Sequence, residues 1–161
     1  METMTKSVIV QIIFVAVFSL TLMSCAKTRQ VLELETSVTL KISTSAAINP
    51  DSDGRPSPLF LRVLQLSDKS QFMGNSDFQN LLTNPQQALN GTLLATERFA
   101  VSPGQVIEKN VVLPISTVTY VGIIAEFSDY TNASTKLLLP VMRNQDNVFQ
   151  IYINELNMSI Q

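Results

Sequence analysis

The chain has 161 residues, a formal net charge of −2, 45% hydrophobic residues and no histidine or tryptophan. That length is one domain's worth. The scattered Lys and Arg exclude a nucleic-acid footprint, and the missing histidine removes the commonest general base, metal ligand and pH switch. The single cysteine, Cys25, excludes an intrachain disulfide and a cysteine-based zinc site.

Val8 to Leu22 is apolar apart from Gln11, Ser19 and Thr21, and Lys6 precedes it. Its length fits the apolar region of a signal peptide and falls short of the ~20 residues of a spanning helix. Glu2 sits oddly in that context, and initiation at Met4 would remove it. The run closes on Leu22-Met23-Ser24-Cys25, which resembles the bacterial lipobox. The resemblance implies cleavage after Ser24, a thioether-linked lipid on Cys25 and acylation of the new N-terminus. A thiol suits this chemistry because the lipid donor must be attacked by a good nucleophile. The plainer alternatives are a secretory signal or a short membrane anchor with an incidental cysteine. Two or more acyl chains, at ~0.8 kcal/mol per buried CH₂, would anchor the protein stably. Ala26 rather than Asp follows the cysteine, and by the usual sorting pattern this implies the periplasmic leaflet of the outer membrane. The organisation expected is a signal peptide over 1–24, a lipidated tether over 25–37 and a folded domain over 38–161.

The tether opens with the polar AKTRQ, Ala26 to Gln30, which spans about 17 Å when extended. Val38 to Ser43 then alternates apolar and polar residues, the mark of a half-buried strand. Asn49-Pro50-Asp51-Ser52-Asp53-Gly54 is turn chemistry. Pro56 and Pro58 drive Arg55 and Ser57 toward extended backbone, and Leu59 to Leu66 reads as a strand buried over most of its surface. A proline-stiffened loop feeding a core strand is a rigid protrusion suited to recognition. Arg55 offers a planar, always-charged fork suited to a carboxylate or carbonyl of another chain.

Ser67 to Asn90 changes period. Phe72, Met73, Phe78, Leu81 and Leu82 predict two short helices. Ser76 is the expected N-cap of the first, and Asn84 with Pro85 opens the second. Phe72 and Phe78 read as a lid on the end of the fold. Further strands are expected over Leu93 to Val101, Val106 to Ile115, Thr119 to Phe127, Lys136 to Val141, Val148 to Ile153 and near Met158. Val121, Ile123, Ala125 and Phe127 fall on one face, as do Phe149, Ile151 and Ile153. Gly122 suggests close approach of another group, and Pro140 an edge or bulge. Seven or eight short strands with one helical insert predict an all-β fold, an antiparallel β-sandwich.

Asn49, Asp51, Asp53 and Gly54 match the opening of a calcium-binding EF-hand loop. Phe60 stands where its bidentate glutamate belongs, so a turn is the better reading. With no histidine and no Ser-x-x-Lys pattern, no hydroxyl has an evident activator. Neither an enzyme, a metal site nor a small-molecule substrate is expected.

Ile48-Asn49-Pro50-Asp51, Gly54-Arg55-Pro56-Ser57-Pro58 and Arg62-Val63-Leu64-Gln65-Leu66, downstream of a lipobox, resemble the type VI secretion lipoprotein (TssJ/VasD) family. Asp77-Phe78, Leu93-Leu94, Glu97, Pro103-Gly104, Tyr120-Val121-Gly122 and Phe127-Ser128-Asp129 continue the likeness. Leu64 replaces a usual Tyr and Ser128 a common Arg. The resemblance implies a transthyretin-like sandwich carrying a helical segment. It also implies an outer-membrane lipoprotein that anchors the secretion complex by binding the periplasmic domain of its large inner-membrane component. The contact would be carried by the loop of Asn49, Pro50, Asp51, Ser52, Asp53, Gly54, Arg55, Pro56, Ser57 and Pro58. The covalent lipid on Cys25 would be the only prosthetic group. The alternative is a pilotin-like or ligand-binding lipoprotein of another envelope assembly.

Overall fold

The computed structural model describes residues 36–113 and 117–161. The signal segment, Cys25 and nearly all of the tether lie outside the described residues. Eight strands form two four-stranded sheets. They are β1 (Ser37–Thr44), β2 (Leu59–Leu66), β3 (Leu93–Val101), β4 (Val106–Val112), β5 (Tyr120–Ala125), β6 (Lys136–Pro140), β7 (Asp146–Asn154) and β8 (Asn157–Ile160). Sheet one has the order β4-β1-β7-β8 and sheet two the order β3-β2-β5-β6. The β3–β4 hairpin therefore passes from one sheet to the other. All neighbours are antiparallel except β1 and β7, which run parallel from Ser37 opposite Asp146 to Thr44 opposite Ile153. Pro140 closes the edge strand β6, where a missing donor breaks no ladder.

Strand alternation builds the core between the sheets. Val38, Leu40 and Ile42 of β1 meet Leu59, Leu61 and Val63 of β2, Val121, Ile123 and Ala125 of β5, and Ile151 and Ile153 of β7. All are buried, and each large aliphatic side chain contributes roughly 1.5–3 kcal/mol on burial. Phe149 shares the inward face of β7 but is only half-buried.

The helical insert explains why β2 ends in an unbroken apolar run. Three short helices, α1 (Ser70–Gly74), α2 (Phe78–Thr83) and α3 (Pro85–Ala88), connect β2 to β3. They form a second core with the outward residues Leu64 and Leu66 of β2 and Ile124 of β5. The second half of β2 is thus buried on both faces. The expected pair of helices is three, and Phe72 does not cap the end of the sandwich. It is fully buried in this second core. The reason is Gly122: a Cβ there would sit 3.1 Å from two Phe72 ring atoms and 3.2 Å from a Leu66 methyl. The N-cap of α2 is Asp77, not Ser76, and its carboxylate accepts from the Asn80 amide at 3.0 Å. Asn84 precedes Pro85 as expected but makes no side-chain cap bond.

Two substitutions test this packing. Gly122→Val forces the Phe72 ring outward, and its expected cost is about 1–3 kcal/mol, as for other overpacked sites. Ile123→Ala should cost about 2–5 kcal/mol and Phe149→Ala less than the ~3–5 kcal/mol of a fully buried aromatic. Urea unfolding of the soluble domain checks both; a Phe149→Ala loss as large as that of Phe72→Ala would contradict the assigned burial.

Candidate partner-binding site

The loop between β1 and β2 is a neck carrying a tip. At the neck, the Ser57 amide donates to Ile48 O at 3.2 Å, and the Asn49 amide donates to Glu155 O at 2.9 Å. Asn49 is 4% exposed and takes a left-handed φ of 48°. Its Nδ2 donates to Ser57 Oγ at 3.0 Å and to Pro58 O at 2.9 Å. Its Oδ1 accepts from the Ser128 amide at 2.8 Å. Ser57 Oγ in turn donates to Asn49 O at 2.6 Å. Asn tolerates this backbone better than most residues, and its carboxamide supplies donors and an acceptor together. Asn49 therefore holds the loop rather than presenting itself to a partner. Pro50, Asp51 and Ser57 are half-buried, and Ser52, Asp53, Gly54, Arg55, Pro56 and Pro58 are exposed.

The tip is built around Asp51. Its Oδ1 accepts from the amides of Asp53 and Arg55, both at 2.9 Å. The Asp51 amide donates to Arg55 O and the Gly54 amide to Asp51 O, both at 2.9 Å. Gly54 supplies the φ of 76° that closes the turn. This accounts for the resemblance to a calcium loop: the same Asp and Gly chemistry folds the backbone on itself. Arg55 is 72% exposed on its side chain, yet its Nε bonds Asp51 Oδ2 at 3.0 Å and its Nη2 meets Asp53 Oδ2 at 2.8 Å. Its fork is thus engaged within the loop, and the tip presents two carboxylates against one guanidinium. The Arg55 amide is the main cause holding the Asp51 carboxyl below its ordinary value. Partial desolvation pushes the other way, and the Arg55 guanidinium and Asp53 amide add to the lowering.

The strand directions place the tip at one end of the domain. The chain enters β1 at Ser37 and reaches the loop beyond Thr44, 8 residues on, or about 26 Å at ~3.3 Å per residue. The tip and the point of chain entry are at opposite ends of the sandwich.

A neighbouring cluster was not foreseen. On the outer face of sheet two, beyond the helices, Arg62 Nη2 and Arg98 Nη2 meet the two oxygens of Glu126 at 3.0 and 2.8 Å. The Arg98 guanidinium lies 3.5 Å from the centre of the Phe60 ring. Phe60 and Arg62 fall two apart on β2, so they share a face. That signal was present, but it needs the β2–β3 register to find Arg98. A cavity of about 360 Å³ lies between the insert and the loop after β5. It is lined in part by Phe78 and Tyr130, whose rings stack at 5.2 Å, and by Lys136. Lys136 Nζ donates to Phe72 O at 3.2 Å and Asn75 O at 2.9 Å, which satisfies carbonyls at the end of α1. Among the described residues no group of His, Cys, Asp and Glu is arranged to hold a metal ion, and no helix is long and apolar enough to cross a membrane.

Residues 36–156 match the sequence profile of the type VI secretion lipoprotein family, which includes VasD, EvfM and TssJ. The chain belongs to this family. Membership makes it a membrane lipoprotein of a secretion system rather than an enzyme. It sets aside a lipoprotein of an unrelated envelope assembly. The fold is that of the solved relatives. TssJ1 from Pseudomonas aeruginosa, a type VI lipoprotein, aligns with a TM-score of 0.73 at 24% identity, over 79% of this chain and 95% of that one. Lip of Serratia marcescens, described as a membrane-bound component of the type VI secretion system, aligns at 0.72 and 20% identity, over 80% and 97%. A chain of a structure described as a type VI membrane complex aligns at 0.68 and 20% identity, over 79% and 98%. No curated protein matches.

Asn49→Ala should lower stability by about 1–3 kcal/mol, since it leaves buried groups without partners and places a Cβ without Asn's tolerance at positive φ. Asn49→Gly removes the backbone strain but not the lost bonds, so it should fall between wild type and Ala. Denaturation midpoints of the three proteins test that order, and equal midpoints would contradict the clamp. The tip has its own pH signature. A depressed carboxyl stabilises its folded turn above the ordinary value near ~3.9 and loses that effect as pH falls through the lowered value. An NMR titration should therefore show the Arg55 amide tracking Asp51 with a midpoint below ~3.9. A midpoint at or above that value would mean the turn is not held by Asp51.

Proposed function

We propose that this lipoprotein is anchored through lipid on Cys25 to the periplasmic leaflet of the outer membrane. In that position it binds the periplasmic domain of the large inner-membrane component of the secretion complex. The contact surface is the exposed part of the loop of Asn49 to Pro58, with Asn49 itself holding it in place. The observation that carries this reading is the construction of that loop. Its exposed tip, Ser52 to Pro56, is held by bonds within the loop, and its neck by Asn49. A segment ordered before binding loses less entropy on association. The tip also lies at the end of the sandwich away from chain entry. A lipid on the N-terminal tether and a partner across the periplasm then pull on opposite ends of one rigid body. One solved chain with this fold, at 0.63 and 22% identity over 77% of this chain and 99% of that one, comes from a structure described as the TssM C-terminal domain.

The contact is shape and backbone more than a free cation, because Arg55 is already paired. Replacing Asp51 to Ser57 with a Gly/Ser linker of equal length should leave the domain cooperatively folded, since Asn49 keeps its bonds to Pro58 and Ser128. Affinity for the purified periplasmic domain should fall more than tenfold in calorimetric titration. Unchanged affinity would place the contact elsewhere on the sandwich. Cys25→Ser should leave the domain fold intact and abolish fatty-acid labelling of the chain. A Ser variant that still floats with outer membranes in a sucrose gradient would refute the anchoring.

A further inference from the structure

The structure assigns a second contact surface to the outer face of sheet two, formed by Phe60, Arg62, Arg98 and Glu126, for an acidic, apolar-bearing segment of the same partner that the loop engages. It rests on the loop reading for the identity of that partner. Four observations carry it. The first is exposure: Phe60 is 41% exposed, and the side chain of Arg98 is 44% exposed. The helices that cover Leu64, Leu66 and Ile124 on this face form their core with those residues and leave Phe60 outside it.

The second observation is preorganisation. Arg98 donates from Nε and Nη2 to both oxygens of Glu126, and Arg62 from Nε and Nη2 to Glu126 Oε1. Glu126 is 15% exposed and Arg62 17%. One shared carboxylate thus fixes two guanidinium planes, and Arg98 lies over the Phe60 ring at 3.5 Å. Aromatic residues, Phe included, and Arg are enriched at protein interfaces relative to the rest of the surface. They lose little rotamer freedom here when a partner docks.

The third observation is charge. Two guanidinium groups share one carboxylate, so the cluster carries an excess positive charge in a chain of net charge −2. The Nη1 groups of both arginines make no hydrogen bond to the described residues. They suit a carboxylate on the incoming segment, while the open edge of Phe60 suits an apolar side chain beside it. The loop tip, by contrast, carries an excess of carboxylate. The two surfaces therefore select opposite charges on the partner, which fixes its orientation.

The fourth observation is continuity. Phe60 O accepts from the Glu126 amide at 2.9 Å. Two residues later the Ser128 amide donates to Asn49 Oδ1, and Asn49 Nδ2 donates to Pro58 O. The loop neck and the cluster are thus parts of one bonded strip.

Calorimetric titration against the purified periplasmic domain of the inner-membrane component tests the assignment. The variants are Phe60→Ala, Arg98→Ala, the double variant and the loop-linker variant, with Gln150→Ala on sheet one as control. Arg98→Lys keeps a cation beside Glu126 should Arg98→Ala fail to fold. Phe60→Ala and Arg98→Ala should each weaken binding about tenfold. The double variant should lose less than the product, because ring and guanidinium act as one unit. Arg98→Ala should also flatten the dependence of affinity on salt. If the loop linker weakens binding and all cluster variants bind as wild type does, the cluster assignment is overturned and the loop reading stands. If the cluster variants weaken binding and the linker does not, the cluster stands and the loop reading falls.

Discussion

A buried carboxamide holds the loop-bearing end of this domain together. Asn49 reaches Pro58 across its own loop and Ser128 across 79 residues of sequence. Its amide ties the loop to Glu155 in the turn after β7. Three loops at the same end of the sandwich are thereby fixed to one residue, two of them through its side chain and the third through its backbone amide. A buried polar group left without partners costs about 1–3 kcal/mol, so no neighbouring loop can drift without exposing or orphaning it. The tip borrows its rigidity from this neck. Asp51 can organise the turn over Asp53, Gly54 and Arg55 only because the strands beneath are held in place.

The rest of the architecture separates duties between ends and faces. β1 carries the chain from its entry to the loop in one straight pass, flanked by β4 and β7 in sheet one. Sheet two is asymmetric across its outer face. One part is sealed by the helices through Phe72 against Gly122, and the other is left open to the Phe60, Arg62, Arg98 and Glu126 cluster. Burial pushes the Glu126 carboxyl upward, but hydrogen bonds from Arg98 and Arg62 outweigh it and the net effect is a lowering. Glu126 therefore stays ionised at neutral pH and keeps both arginines in register.

Much of this was legible in the sequence because it is local. The alternation in Val38 to Ser43 and the shared face of Val121, Ile123 and Ala125 gave the sheets and their inward sides. Gly122 announced a close approach, though only the fold shows that the neighbour is Phe72. The turn composition of Asn49 to Gly54 marked the loop, yet composition cannot divide a clamp from a tip. Asn49 and Asp53 look alike in sequence, and one is buried while the other is exposed. The pairing of the Arg55 fork within its own loop is hidden for a related reason: its two acceptors, Asp51 and Asp53, are four and two residues away, and only the turn geometry brings them round. The Arg98 stack on Phe60 depends on strand register between residues 38 apart, which no periodicity encodes. The family resemblance supplied the fold and the secretion system, and residues 36–156 bear that membership out.

The central claim is that the loop tip, presented by the Asn49 clamp, is where this lipoprotein meets its periplasmic partner. Amide hydrogen exchange of the domain, alone and saturated with the partner's periplasmic domain, addresses it most directly. The account predicts added protection over Ser52 to Arg55, smaller changes at the start of β2 around Phe60, and none along β4 and β7 of sheet one. Protection concentrated on sheet one, with the tip amides exchanging as in the free domain, would contradict it.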